Sequence, residues 1–126
     1  TPDMRTPIGY ALGWPERIAT PCAPLDLVAT AQLTFEAPDR ARFPALDLAS
    51  AALVAGGSVP VVLNAANEIA VQAFLDGAIG FLDIAAIVAD VMTALPHEQV
   101  HSLDDVRAVD ANARRIAGEH VRRRAL

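Results

Sequence analysis

Residues 59–76 read VPVVLNAANEIAVQAFLD, and this stretch decides the fold. Leu63, Ala66, Ile69 or Ala70, and Ala73 or Phe74 recur at helical spacing and make one apolar stripe, and Gly77 supplies a stop. Inside that pattern lies LNAANE, residues 63–68, where Asn64, Asn67 and Glu68 fall at i, i+3 and i+4 and share a face beside the stripe. Asparagine is a poor helix former because its amide competes for backbone groups. Two of them in one helix interior point to a structural hydrogen-bond post that serves backbone groups of a neighbouring segment, in preference to a substrate contact. Ala65 and Ala66 would let that neighbour approach closely.

Working outward, the same period recurs in three more segments. Residues 43–55 have Pro44 at the entrance, Leu46, Ala49 and Leu53 on one face, and Gly56-Gly57 as a stop. Residues 82–95 carry Ile84, Ile87, Val88, Val91 and Leu95, with Pro96 as terminator. The last helix starts at Ser102, whose side chain can accept from the backbone at Asp105, and runs to about 124 with Leu103, Val106, Val109, Ala113, Ile116, Ala117 and Val121 inward. Asp104 and Asp105 in its first turn and Arg122, Arg123 and Arg124 in its last match the helix dipole. Four amphipathic helices with short connections make an up-and-down bundle.

The first third differs. Prolines at 2, 7, 15, 21, 24 and 38 crowd it, against three in the rest of the chain. Thr6-Pro7 reads as a cap and a first-turn proline for a short helix over 7–13, ended by Gly13 and Pro15. LDLVATAQLTFE, residues 25–36, alternates loosely and reads as an extended strand or connecting ribbon. The expected fold class is therefore mainly α: a C-terminal four-helix bundle over 40–126, preceded by an extended linker and a short helix within 1–39.

The 126 residues suffice for one domain with a real core and an appendage. All ten cations are arginine, which excludes lysine-dependent Schiff-base and phosphate-loop chemistry within this chain. The Arg-rich end has no aromatic beside it, so nucleic acid is not an expected partner. Neither a signal peptide nor a membrane-length apolar run is present, and membrane is not an expected partner either. Cys22 is the single cysteine and reads as an ordinary thiol suited to a reducing cytoplasm. His97, His101 and His120 lack metal-ligand spacing and read as surface histidines. No catalytic constellation emerges.

PDMRTPI (2–8), GWPER (13–17), PLD (24–26), LTFEAPD (33–39), FPAL (43–46), LNAANEIAVQAFL (63–75), DIAAIV (83–88) and SLDDVRAVDANAR (102–114) together resemble the C-terminal part of the 1-deoxy-D-xylulose 5-phosphate reductoisomerases. The resemblance implies an NADPH-dependent enzyme of the non-mevalonate isoprenoid pathway, converting 1-deoxy-D-xylulose 5-phosphate to 2-C-methyl-D-erythritol 4-phosphate with Mg²⁺ or Mn²⁺. It implies a dinucleotide domain and an α/β catalytic domain upstream, which would account for a chain that opens in mid-turn at TPDMRTPI. Residues 1–13 would end that catalytic domain, 14–39 would be the linker, and a homodimer would be the assembly. Pro2 and Met4 match residues that pack on the nicotinamide side of NADPH in the family. The family's metal ligands, phosphate-binding residues and lid tryptophan have no counterpart here, and Trp14 belongs to GWPER. The resemblance thus implies a supporting portion, inactive alone, with neither NADPH nor metal expected on it. The other reading of the residues is a stand-alone helical module that binds a partner by adding residues 25–36 to a sheet edge.

Overall fold

A computed structural model describes residues 3–125. It is helical, and among the described residues no strand forms. The chain divides into two units, Thr1–Ala37 and Pro38–Leu126.

In the first unit, α1 spans Arg5–Gly13 and α2 Leu27–Thr30. Met4 holds the cap position of α1 and Thr6 does not cap it; in the turn ahead of the helix the Asp3 carboxylate accepts from the Arg5 backbone N–H at 2.9 Å and the Asp3 carbonyl from Thr6 N–H at 3.1 Å. Pro7 still falls in the first turn, where its lacking N–H costs no helical bond. Residues 18–20 return alongside α1, so that a Cβ on the buried Gly9 would lie 2.5 Å from the Thr20 methyl. Tyr10 and Trp14 meet edge to face at 5.4 Å, with the Arg17 guanidinium over the Tyr10 ring.

Of the two readings of 25–36, strand and connecting ribbon, the strand does not form and the connection does, broken by one helical turn. Asp26 caps a single helical turn, its Oδ1 accepting from Val28 N–H at 2.9 Å and Ala29 N–H at 3.0 Å, and Ala31 follows at φ 58°. A carboxylate that satisfies two backbone donors locally removes them from any ladder. The remainder of 25–36 is irregular connection, so the sheet-edge mode of partner binding loses its basis.

The second unit contains α3 (Ala45–Ala55), α4 (Val59–Leu75), α5 (Phe81–Ala94) and α6 (Leu103–Arg124). Helix α4 is the hub, packing against each of the other three. One core unites Val62, Ala65, Ala66, Ala70 and Ala73 of α4, Ile79, Ile87, Val88 and Val91 around α5, and Ala113 and Ala117 of α6. The stripes expected on α4 and α5 turn inward, and on α6 the stripe does so from Val109 to Val121, whereas Leu103, expected inward at its first turn, is exposed. On α3 the expected face is wrong: Ala52 is buried and Leu48 half-buried, whereas Leu46, Ala49 and Leu53 are exposed. The helix carries two apolar stripes, and the period alone does not choose between them.

The helix starts are fixed by short-range bonds. Ser102 Oγ accepts from Asp105 N–H at 3.1 Å while the Asp105 carboxylate accepts from Ser102 N–H at 3.0 Å, closing a capping box at α6. The Asp83 carboxylate accepts from Gly80 N–H at 2.9 Å at the start of α5. Ser58, almost wholly buried, ties the start of α4 to the segment after α5: its N–H donates to the Glu98 carbonyl at 2.9 Å and its Oγ accepts from Glu98 N–H at 2.9 Å.

Gly57 beside it has φ +52°, and a Cβ there would lie 2.5 Å from the Glu98 carbonyl oxygen. Gly77 has a comparable φ of +73° with open space around it. Gly77→Ala therefore incurs backbone strain alone, about 1 kcal/mol, whereas Gly57→Ala adds a backbone collision and costs about 3 kcal/mol. Denaturant melts of the two variants check this, and equal losses would show that the Ser58–Glu98 clasp yields freely.

Candidate functional site

Three constellations of polar side chains stand out. The first is Asp3-Met4-Arg5 at the head of α1. Arg5 presents its fork to Asp3, with Nε to Oδ1 at 3.0 Å and a terminal nitrogen to Oδ2 at 2.6 Å. The Arg5 side chain and backbone N–H together hold the Asp3 carboxyl below the usual carboxylate range. The half-buried Cys22 approaches the same pair. Arg5 is thus the loop anchor its position implies. Met4, between the two, is 71% exposed. Pro2 lies outside the described residues.

The second is the LNAANE post. Asn64 does donate, but to the Glu68 carboxylate at 2.9 Å and not to backbone groups as expected. The other Glu68 oxygen accepts from Arg114 of α6 at 2.7 Å, and Arg114 Nε donates to Asp110 at 2.7 Å. The post therefore joins α4 to α6 through side chains, because at the rim of the seam the α6 backbone is already bonded within its own helix. The Arg114 side chain, followed by the Asn64 amide, pulls the Glu68 carboxyl down, and Asp110 and Glu68 push the Arg114 guanidinium further up. A shallow groove beside the pair is lined by Asn67, Glu68, Val71, Gln72 and Arg114.

The third joins α5 to α6. Asp90 accepts from Arg124 at 2.7 Å and faces His120 Nδ1 at 3.2 Å, with Asp83 at 3.7 Å from Arg124. His120 is largely covered, so the surface reading fails for it. Arg124 belongs to this seam, while Arg122 and Arg123 are exposed. Sequence reasoning missed the network, though a signal existed: Asp83 and Asp90 stand two turns apart on one helix, His120 and Arg124 one turn apart on another.

Chemically these groups neutralise one another. Among the described residues no group of three His, Cys, Asp or Glu side chains could hold a metal, and no helix is long and apolar enough to cross a membrane. The fold and its ion-paired seams define an α-helical domain whose charges tie helix to helix.

The family is shown by comparison. The family described as DXP reductoisomerase C-terminal domain matches residues 1–116, and the chain belongs to it. It is 62% identical over 121 residues to 1-deoxy-D-xylulose 5-phosphate reductoisomerase of Rhodospirillum centenum, covering 96% of this chain and 30% of that protein. It is 56% identical over 122 residues to the same enzyme of Pseudomonas fluorescens, covering 97% and 31%. Among solved structures, the reductoisomerase of Zymomonas mobilis in complex with NADPH superposes with a TM-score of 0.81 at 52% identity, covering 96% of this chain and 32% of the other. A second, in complex with NADPH, fosmidomycin and magnesium, gives 0.74 at 40% identity, covering 97% and 32%. The chain thus spans about 30% of the length of the curated relatives it matches.

Because Arg114 and then Asn64 lower the Glu68 pKa in the folded state, this pairing stabilises the fold above the unfolded value, near pH 4.3, and its contribution disappears as pH falls through the lower folded value. The melting temperature of the wild-type chain is expected to drop on acidification from about pH 5 to pH 3 more steeply than that of Glu68→Gln. Parallel curves would show that Glu68 carries no share of the acid sensitivity.

Proposed function

We propose that this chain is the C-terminal portion of a 1-deoxy-D-xylulose 5-phosphate reductoisomerase, and that it supports an active site built on polypeptide preceding Thr1. The observation that carries this reading is the family match over residues 1–116 at about 30% coverage of full-length relatives. The whole enzyme would convert 1-deoxy-D-xylulose 5-phosphate to 2-C-methyl-D-erythritol 4-phosphate with NADPH and Mg²⁺ or Mn²⁺, as a cytoplasmic homodimer.

Met4 fits a nicotinamide-side position. A polarizable thioether can cover a planar ring without offering a competing donor, and the Asp3–Arg5 clamp at 2.6 Å fixes the backbone on either side of it. Pro2 is assigned with it, a rigid ring lying against the same face of the cofactor. NADPH, when bound, supplies the hydride that reduces the rearranged aldehyde. The residues of this chain would orient the ring and keep water from that side. The metal ligands belong, in this reading, to the upstream portion.

The full-length polypeptide is expected to oxidise NADPH when given 1-deoxy-D-xylulose 5-phosphate and Mg²⁺ or Mn²⁺, and residues 1–126 alone are expected not to. Met4→Ala in the full-length enzyme removes an apolar contact of about 1 kcal/mol, raising KM for NADPH about fivefold with a smaller effect on kcat. Substrate-dependent oxidation by the 126 residues unaided would refute the support role, and an unchanged KM would remove Met4 from the cofactor site.

A further inference from the structure

The inference concerns α3 and rests on the reading that a catalytic portion precedes this chain. Leu46, Ala49 and Leu53 fall at i, i+3 and i+7 and make one stripe. Leu53 is 80% exposed and Leu46 46%. The face that α3 turns to its own bundle is a different one, marked by Leu48 and Ala52, about a third of a turn away. Asp47 is the only charged residue in Ala45–Ala55. A helix with one buried apolar face, an exposed apolar stripe with the 88% exposed Val54 flanking it, and one charge in three turns, has the pattern of a helix covered on more than one side.

Two occupants are available, a second copy of this chain or the upstream portion of the same polypeptide. Eleven residues of helix are about 16 Å long and about 10 Å wide, so a self-paired α3 buries a few hundred Å², well short of the roughly 1,200 Å² of a stable dimer. A partner on the same chain needs far less area, because a tether holds it at an effective concentration on the order of millimolar. The length of chain outside the structure favours the same choice: the relatives are about three times as long, and the matched family is their C-terminal domain. We propose that the Leu46–Ala49–Leu53 face of α3 is a docking seam for the catalytic portion of the same polypeptide.

The test uses the full-length protein with a benzophenone side chain in place of Leu53, and separately in place of Ala51, which is exposed and lies on the far side of α3. The Leu53 probe is expected to cross-link within one polypeptide to a peptide upstream of Thr1, and the Ala51 probe is not. A product of twice the mass would identify another copy as the occupant and overturn the proposal, as would equal cross-linking from both positions or none. Should the probe disturb folding, Leu53→Glu is read by amide exchange over residues 45–55 of the full-length chain. Exchange about tenfold faster than wild type supports the seam, and unchanged exchange refutes it. Reductoisomerase activity is assayed on the unmodified protein first. Its failure would reject the proposed function, whereas an active enzyme with no cross-link would reject the seam alone.

Discussion

Everything in the bundle follows from α4 and α6 having to lie against each other with nothing larger than a methyl group at their most buried positions. Ala65, Ala66 and Ala70 of α4, and Ala113 and Ala117 of α6, are wholly excluded from solvent. Close approach brings many backbone and Cβ atoms into dispersion contact, which compensates for the small apolar area each alanine removes from water. The bulk that fills the remaining volume then comes from the third helix, where Ile87, Val88 and Val91 of α5 are buried. A seam of methyl groups has little relief of its own, and one turn of slippage would meet much the same surface. Register has to be set at the rim. Glu68–Arg114 does this between α4 and α6, and Asp90 with His120 and Arg124 does it between α5 and α6. Both are partly solvated, where ion pairs contribute little to net stability but do penalise misaligned arrangements.

That assignment of the charges bears on function. A catalytic carboxylate or arginine must be free to meet a substrate, and here the polar groups nearest the core are occupied by one another. Arg114 is held by two carboxylates and Arg124 by two more. The head of α1 follows the same economy, since the Arg5 fork is filled by Asp3. Large apolar side chains are exposed in both units, among them Met4, Val28 and Phe35 in the first and Leu53, Val54 and Leu82 in the second.

The helices of the bundle were legible because each combines a 3.6-residue apolar period with a local stop or start, as in Ser102-x-x-Asp105 or Gly77. Those signals act over four residues and survive any tertiary context. The hydrogen-bond partner of Asn64 was not legible, since it depends on Glu68 being drawn to an arginine 46 positions away. Over 25–36 the strand alternative fails, while the connecting ribbon holds, for a more instructive reason. Loose alternation over 25–36 is shared by strands and by connections in which every other residue happens to be apolar, and the capping signal of Asp26 ahead of Val28 and Ala29 was available to contradict it. Thr6 reads as the first cap for a similar reason: the proline after it suggests a first helical position, when the third position of the first turn tolerates proline equally and the helix starts at Arg5.

The misassigned face of α3 is of another kind, because there the periodicity was sound. ALDLASAALVA has only Asp47 and Ser50 as polar side chains, and Ser50 donates its hydroxyl to the Leu46 carbonyl at 2.8 Å. Hydrophobic periodicity reports how many faces a helix must cover and not which neighbour covers each. For a free-standing bundle a second apolar stripe is a cost in solubility with no return. For a helix covered on both sides, as proposed for α3, two stripes are the minimum: one closes the internal core through Ala52, and the other would meet the docked portion.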